Sequence, residues 1–281
     1  MTELSTPELV DIGTNLTNKR FKADRRAMLE RAQAAGVTRI VATGVSVQGS
    51  RDAVSLAEDL AAGDARGRPL PAVYATAGIH PHHGADCDSL ALATLRELHA
   101  SARCVAVGEC GLDYNRNFSP PKAQRSAFAA QLALAAELGK PVFLHEREAH
   151  ADFVSILKDY RAALSGGVVH CFTSDRQALE SYLELDLHIG ITGWIADERR
   201  GQHLIELVRL IPADRLMIET DAPYILPRNM PSKQQPKDRR NEAAFLPYVL
   251  RAVAQAKGLS EVAVARQTTE TACAFFGLGA S

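Results

Sequence analysis

Residues 105–114 have the sequence VAVGECGLDY, an apolar run that turns into a carboxylate flanked by glycines. The apolar half is rich in valine, as in strands that are buried on both faces of a parallel sheet. The glycines allow the backbone to bend and other groups to come close to it. A carboxylate at the end of a buried strand is costly to desolvate unless a positive group meets it. Glu109 is therefore expected to be either a metal ligand or one half of an ion pair with an arginine.

Apolar runs of this kind occur eight times along the chain. Their bounds are 10–13, 39–45, 73–80, 104–114, 141–146, 167–173, 187–194 and 216–223. The segments between them have helical periodicity, with Ser119 as a predicted N-cap, Gly139 as a helix end and Ser260 as the cap of the last helix. Eight consecutive βα units favour a (β/α)₈ TIM barrel, built as a single domain from residue 1 to 281. A doubly wound sheet is the alternative, because the sequence does not show whether the sheet closes.

The composition excludes several classes of protein. With 46% apolar and 23% charged residues, the chain resembles a globular enzyme rather than a disordered or coiled-coil protein. A net charge of −1 gives no overall attraction to nucleic acid or to an anionic membrane, so a polyanion would need a local basic patch or bound cations. Residues 1–10 are polar without an apolar signal core, and no run is long enough to span a membrane. Five cysteines without a C-x-x-C pair indicate reduced thiols and a cytoplasmic protein.

Side chains that can bind a metal or move a proton follow the apolar runs. In a barrel the carboxyl ends of the strands meet at one mouth, where such donors can surround a divalent cation and leave a position for water or substrate. A lone histidine at a strand end is more often a hydrogen-bonded core residue, but donors arriving from four strands form the pattern of a metal site. The predicted ligands are Glu109, His145, His170 and Asp221.

The two carboxylates after the eighth run have separate predicted roles. Asp221 is expected to bind the metal or to take the proton of the attacking water. Glu219 precedes it by two residues and would face the same way if the strand persists, where it suits a hydrogen bond to a ligand histidine. Other mechanisms find less support, since there is no G-x-S-x-G elbow, P-loop or G-x-G-x-x-G motif. Cys110 and Cys171 are expected to be packing residues rather than nucleophiles.

Basic residues are grouped near the predicted mouth. Arg116, Arg147, Arg199 and Arg200 follow three of the strands. The long segment after Asp221 is rich in proline and in basic residues, and it would lie over the mouth of a barrel. Each arginine alone is typical of a solvated surface, but the group as a whole predicts an anionic substrate.

Several motifs resemble those of the TatD family of metal-dependent deoxyribonucleases. They are GIHPH at 78–82, VGECGLDY at 107–114, His145, VHCF at 169–172, GITGW at 190–194, IETDAPY at 218–224 and RRNE at 239–242. The resemblance implies an amidohydrolase-like TIM barrel of the metal-dependent hydrolase type that hydrolyses phosphodiester bonds, typically from DNA ends, with a divalent cation. It also implies metal binding at the positions of the four predicted ligands.

One position of the family pattern differs in this chain. Many members of the family have a His-x-His pair on the first strand, where this chain has Gly13 and Asn15. Asn15 offers a neutral oxygen and Gly13 offers no side chain, so one firm metal site and at most one weak site are expected.

These observations lead to a specific expectation of function. The chain is predicted to be a Mg²⁺- or Mn²⁺-dependent exonuclease on single-stranded DNA, possibly RNA, with Zn²⁺ as a possible metal; the 3′-to-5′ direction is implied by the resemblance alone. Asp221, Glu109 and Glu219 are the predicted catalytic residues. The predicted contacts to substrate phosphate are His80, His82, Asn15, Arg116, Arg147 and Arg240. A monomer is expected. The alternatives are a small-molecule hydrolase that cleaves a lactone, cyclic amide or phosphotriester, and a non-enzymatic barrel in which the metal is structural.

Overall fold

Eight parallel strands form one closed barrel in the computed structural model, which describes residues 7–63 and 69–279. The strands lie in the order of the chain, each paired with the next. They are β1 (Leu9–Thr14), β2 (Val37–Ala42), β3 (Ala72–Ala77), β4 (Cys104–Asp113), β5 (Val142–Arg147), β6 (Gly167–Val169), β7 (His188–Ile191) and β8 (Leu216–Ile218).

The barrel closes between its first and last strands just beyond the end of β8. The amide of Asp221 donates to the carbonyl oxygen of Gly13 at 2.8 Å, and the amide of Asn15 donates to that of Ala222 at 2.7 Å. These two hydrogen bonds join β1 to the segment that follows β8 and so close the barrel. The predicted TIM barrel is confirmed, and the open doubly wound sheet is excluded.

Helices surround the strands on the outside. They are α1 (Arg25–Ala34), α2 (Val47–Ala61), α3 (Ser89–Leu98), α4 (Pro121–Leu138), α5 (His150–Tyr160), α6 (Arg176–Glu184), α7 (Gln202–Leu210), α8 (Leu246–Lys257) and α9 (Glu261–Phe276). Ser260 caps α9 as predicted, because its hydroxyl accepts from the amide of Ala263. The predicted N-cap at Ser119 is wrong: Pro120 takes that position, and the Ser119 hydroxyl donates to the carbonyl oxygen of His82 instead.

The apolar core of the barrel and its helices consists of two clusters of buried residues. The larger one lies between the strands and the surrounding helices. The smaller one fills the barrel interior with residues such as Ile12, Phe143 and Met217, and it extends to Phe276 of α9. Since α9 packs against β1 and β8, it covers the end of the barrel opposite the strand carboxyl ends. The interior is therefore packed, and chemistry is confined to the mouth.

Three strand ends at the mouth differ from prediction. β4 matches the predicted run 104–114 to one residue, but the strand end predicted at Glu109 lies at Asp113, because the last residues of β4 pair with β5. β6 and β8 are shorter than predicted and contain three residues each, so His170 and Glu219 follow them directly. The expected continuation of the last strand through Asp221 is wrong.

Two expectations extend beyond the described residues. Residues 1–6 of the polar start, and the outermost parts of the predicted domain 1–281, lie outside them. Within residues 7–63 and 69–279, no helix is both long and apolar enough to cross a membrane.

Candidate metal centre and active site

A bulge in β4 directs Glu109 into the mouth of the barrel. The register with β5 pairs Gly108 with Phe143 and then Cys110 with Leu144, which leaves Glu109 as the extra residue. Gly108 has a φ of 139°, and a Cβ atom there would lie 2.2 Å from the carbonyl oxygen of Phe143. The glycine before Glu109 is therefore required both by conformation and by space.

Three imidazoles converge on one oxygen of Glu109. The Oε1 atom lies 2.8 Å from Nε2 of His170, 2.9 Å from Nδ1 of His145 and 3.3 Å from Nε2 of His80. Glu109 is only 5% exposed. Burial by itself would raise the pKa of this carboxyl, but the charge of His170 and the hydrogen bonds from His145 and His170 hold it well below its ordinary value. The sequence left open an ion pair between Glu109 and an arginine. In the structure an imidazole cluster, formed by His80, His145 and His170, surrounds Glu109 instead.

The three histidines differ in their own electrostatics. Burial opposes a charge on all of them. For His170, Glu109 and Glu219 overcome that effect and raise its pKa well above the ordinary value. For His145, Asp113 and Glu109 raise the pKa in the same way. Burial prevails at His80 and lowers its pKa to about 4, so this imidazole is neutral, and its Nδ1 atom accepts from the amide of His82 at 3.0 Å.

The donor set fits a divalent cation. Ligand atoms of His80, Glu109 and His145 all lie within 4.8 Å of one another. The Nε2 atom of His145 is buried without a hydrogen-bond partner, and the carboxylate of Asp113 lies 3.5 Å away from it. A buried ring nitrogen of this kind, beside a carboxylate and other imidazoles, can serve as a ligand of a divalent metal ion. His80 belongs to this group by position, although the sequence predicts it as a phosphate contact.

Glu219 lies directly behind the imidazole cluster. Its Oε2 atom is 3.3 Å from Nδ1 of His170, and its Oε1 atom accepts from the amide of Cys171 at 2.5 Å. The predicted hydrogen bond to a histidine is confirmed. A Cβ atom at Gly13 would lie 2.1 Å from Oε2 of Glu219. The carboxylate therefore occupies the space beside β1 that a side chain at position 13 would need.

Asp221 lies on the β8 side of the same cavity and is partly exposed to it. Its φ of 51° is in the left-handed region, and Asn15 donates from Nδ2 to its Oδ1 at 3.0 Å. Burial raises the pKa of Asp221 to about 8, although the charge of His170 acts in the opposite direction. This carboxylate is oriented by a neutral amide rather than by a cation, which suits a group that accepts a proton.

A cavity of about 640 Å³ joins these groups at the mouth. Of the predicted site residues, its walls include Asn15, His80, His82, Glu109, Arg116, His145, Arg147, His170 and Asp221. Arg200 also lines it, and its guanidinium lies 5.5 Å from the centre of the Trp194 ring. The structure thus brings nearly all of the predicted residues together.

Arg240 is the exception among the predicted phosphate contacts. Its guanidinium makes two bonds of 2.7 Å to the carboxylate of Asp24 and lies over the ring of Phe21. Asp24 is at the start of α1, so this pair fastens the long segment after β8 to the first helix. Arg240 is not a wall of the cavity, and the prediction that it reaches the mouth is wrong because a nearby carboxylate holds it elsewhere.

Asp113 is the main site residue that the sequence prediction misses. Its Oδ2 atom is 2.8 Å from Nε2 of His82, and the effect of burial on Asp113 is offset by the neighbouring imidazoles of His145 and His82, so its pKa is below the ordinary value. The residue belongs to the VGECGLDY motif, but a strand that ended at Glu109 would leave it outside the mouth. If the predicted strand is extended from Glu109 to Asp113, the alternation of side chains puts both carboxylates on the same face and predicts Asp113 as a site residue. Tyr224, the last residue of the IETDAPY motif, and Thr173 also line the cavity.

Comparison with known proteins assigns the chain to a family. The sequence profile of the TatD related DNase family matches residues 10–277. The chain belongs to the TatD related DNase family. A relative from Erwinia amylovora, named 3′-5′ ssDNA/RNA exonuclease TatD, is 51% identical over 96% of this chain and 100% of its own length. A protein of the same name from Escherichia fergusonii is 44% identical over 96% of this chain and 99% of its own length.

Solved structures agree with this family assignment. A TatD homologue from Escherichia coli superposes with a TM-score of 0.84 at 25% identity, covering 96% of this chain and 98% of the other. A Xaa-Pro dipeptidase matches with a TM-score of 0.63 at 12% identity, over 97% of this chain and 75% of the other, which reflects the barrel fold alone. The solved structures thus share the α/β barrel fold of this chain.

Proposed function

We propose that this chain is a metal-dependent 3′-to-5′ exonuclease that hydrolyses phosphodiester bonds in single-stranded DNA and RNA. The observation that carries the proposal is the convergence of three imidazoles on buried Glu109, inside a cavity that arginines also line. The names of relatives that match over the full length support the substrate and the direction of cleavage.

The metal would be held by the imidazole cluster with Asp221 as a further ligand across the cavity. Glu109 and His145 are the central donors, joined by His80 and His170. A divalent cation bound there supplies Lewis-acid activation of water and of the phosphoryl oxygen. Mg²⁺ or Mn²⁺ is favoured by a phosphate substrate, and Zn²⁺ is compatible with the histidines. The space beside Gly13 is filled by Glu219, which supports one firm metal site rather than a close pair.

Asp221 would take the proton of the attacking water. Its carboxylate lines the cavity, and without a metal burial raises its pKa to about 8, so the group can hold a proton near neutral pH. Asn15 holds the carboxylate in place by donating to Oδ1, which leaves the other oxygen as an acceptor. Glu219 acts through His170, whose ring it orients by a hydrogen bond to Nδ1.

The phosphate contacts would come from the arginines of the cavity wall. Arg116 follows β4 and Arg147 ends β5, and both line the cavity. His82 adds a polar ring beside the imidazole cluster, with its Nε2 bound to Asp113. Arg200, which follows β7, adds a further cation. Arginine suits such contacts because its planar group binds phosphate oxygens in pairs.

Further properties of the protein are part of the same proposal. A monomer stays the expectation for this chain. The five cysteines are free thiols, as in a cytoplasmic protein. We also infer that residues 1–281 form one domain, because the sheet uses strands from both ends of the chain. Light scattering of the purified protein measures the oligomeric state directly.

Nucleotide release from end-labelled single-stranded DNA tests the proposed function. The wild-type protein should degrade the strand with Mg²⁺ or Mn²⁺, stop with a chelator, and resume when the metal is restored. His145→Ala should be inactive, while His203→Ala, a surface histidine bound to a carbonyl oxygen, should be as active as the wild type. Degradation that persists in chelator or in His145→Ala would contradict a metal-dependent nuclease. A lactone and a phosphotriester tested in parallel distinguish it from a small-molecule hydrolase.

A further inference from the structure

Two aromatic side chains are exposed at the mouth of the cavity. Phe118 is 69% exposed and Tyr224 is 51% exposed. Among the large hydrophobic side chains exposed within residues 7–63 and 69–279, these two are the aromatic ones, and the others are aliphatic residues on or beside the outer helices. A scattered exposed aliphatic residue needs no explanation. An exposed phenyl ring beside a cavity that several arginines line does need an explanation.

Phe118 is linked to the metal centre by a series of contacting rings. Its ring meets that of His82 edge to face, with centroids 4.7 Å apart. The His82 ring in turn lies 4.2 Å from the ring of His80, whose Nε2 atom is 3.3 Å from Glu109. His82 lines the cavity and Phe118 lies one ring farther out. The phenyl group therefore lies just outside the cavity wall, next to His82.

The loop that carries Phe118 is held by hydrogen bonds on both sides. The Ser119 hydroxyl donates to the carbonyl oxygen of His82 at 2.9 Å, and the amide of Arg116 donates to the carboxylate of Asp113 at 2.9 Å. Asn117 between them has a φ of 48°, which turns the chain just before the exposed phenyl ring. An aromatic surface that is already fixed loses little conformational entropy when a ligand covers it.

We propose that Phe118 is a stacking platform for a nucleobase of the substrate, specifically the second base from the 3′ end. This inference rests on the proposed nuclease function. Every base has an apolar face, so stacking on an aromatic ring adds affinity without selecting a sequence. Because Phe118 lies one ring outside the cavity wall, its base belongs to the nucleotide next to the one in the cavity. With cleavage from the 3′ end, that nucleotide is on the retained, 5′ side of the scissile phosphate.

Abasic substrates test this assignment. The first cleavage is measured as kcat/KM on three single-stranded oligonucleotides with Mn²⁺: unmodified, abasic at the second position from the 3′ end, and abasic at the fifth. For the wild type we expect a loss of about 5- to 150-fold at the second position and no change at the fifth. Phe118→Ala should show the same loss on the unmodified strand and no further loss on the strand that is abasic at the second position. Phe118→Trp should retain the wild-type pattern.

The control is Val262→Ala, which removes an apolar side chain on α9 that is 59% exposed. It should match the wild type on all three strands. A Phe118→Ala protein that loses equal activity on unmodified and abasic strands would show that the ring only supports His82, and one that loses none would exclude stacking. If the wild-type protein released no nucleotide from any strand with metal, the nuclease function itself would fail and this inference with it.

Discussion

Two carboxylates on opposite sides of the barrel mouth have opposite acidities. Glu109 arises from β4 and is surrounded by imidazoles, which hold its pKa well below the ordinary value. Asp221 follows β8 and has Asn15 as its hydrogen-bond partner, and burial raises its pKa to about 8. Both are withdrawn from bulk water, so loss of hydration alone does not explain the difference. The charge of the neighbours decides which carboxylate stays ionised and which can hold a proton.

This difference in pKa gives Glu109 and Asp221 different chemical roles on the two sides of the barrel mouth. A permanently ionised carboxylate among imidazoles is suited to hold a cation, because its charge is available at every pH near neutral. A carboxylate with a raised pKa exchanges a proton in the same range. Substitutions on either side should therefore separate metal binding from proton transfer.

Replacing Glu109 by Gln should have the most severe consequences. The amide would keep the size of the side chain but lose the charge that three imidazoles face. We expect metal affinity to fall sharply and the rate of strand degradation to fall by at least about 1,000-fold, more than for a residue that only supports a ligand. Calorimetric titration with Mn²⁺ and the nuclease assay measure the two effects. Glu137→Gln, which alters an exposed pair with Arg96, is the matched control; a Glu109→Gln protein with normal Mn²⁺ affinity would contradict the central role of this carboxylate.

Replacing Asp221 by Asn should affect catalysis more than metal binding. The amide can still accept from Asn15 but cannot take a proton, so we expect kcat to fall by about 100-fold or more, as for the loss of a general base. Affinity for Mn²⁺ should change far less than in Glu109→Gln. Equal losses of Mn²⁺ affinity in the two variants would mean that both sides of the mouth serve only to hold the metal.

Metal should stabilise the protein more as the pH rises. The folded-state pKa of His170 is raised above its unfolded value, so its contribution to metal-free stability is complete below the unfolded pKa near 6.5 and is lost as the pH rises through the folded pKa. A metal must displace that proton, and its binding therefore strengthens with pH. We expect the melting temperature gained on adding Mn²⁺ to grow by roughly 2–4 °C per pH unit between about pH 6 and 8. Thermal melts with and without Mn²⁺ measure it, and a pH-independent gain would show that the metal does not displace a proton from His170.

A much weaker effect is expected in the segment after Asp221. Arg240→Ala breaks the pair with Asp24, which should lower stability by about 1 kcal/mol and leave kcat and the salt dependence of DNA binding unchanged. Arg116→Ala, at the cavity wall, should instead weaken DNA binding and reduce the slope of log K against log salt by about 0.7. A reduced slope in Arg240→Ala would instead show that Arg240 contacts the phosphate of bound DNA, as the sequence predicts.

Local features of the chain are predictable where one residue and its neighbours determine them. Ser260 caps α9 as predicted, because a serine before a helix has amides within reach of its hydroxyl. Ser119 does not cap α4, because its hydroxyl donates instead to the carbonyl oxygen of His82, which lies in the segment after β3. Arg240 is a similar case, since a carboxylate 216 residues away in the chain binds it.

The number and order of the strands, and the kinds of donor at their ends, can be read from the chain alone, because burial on both faces and strand length are reflected in local composition. Which donors meet is a property of the folded barrel. The bulge at Glu109 and the closure of β8 on β1 set distances between side chains from different strands. Those distances bring His80 into the imidazole cluster and put Glu219 into the space beside Gly13. They depend on register and closure, which no single stretch of the chain contains.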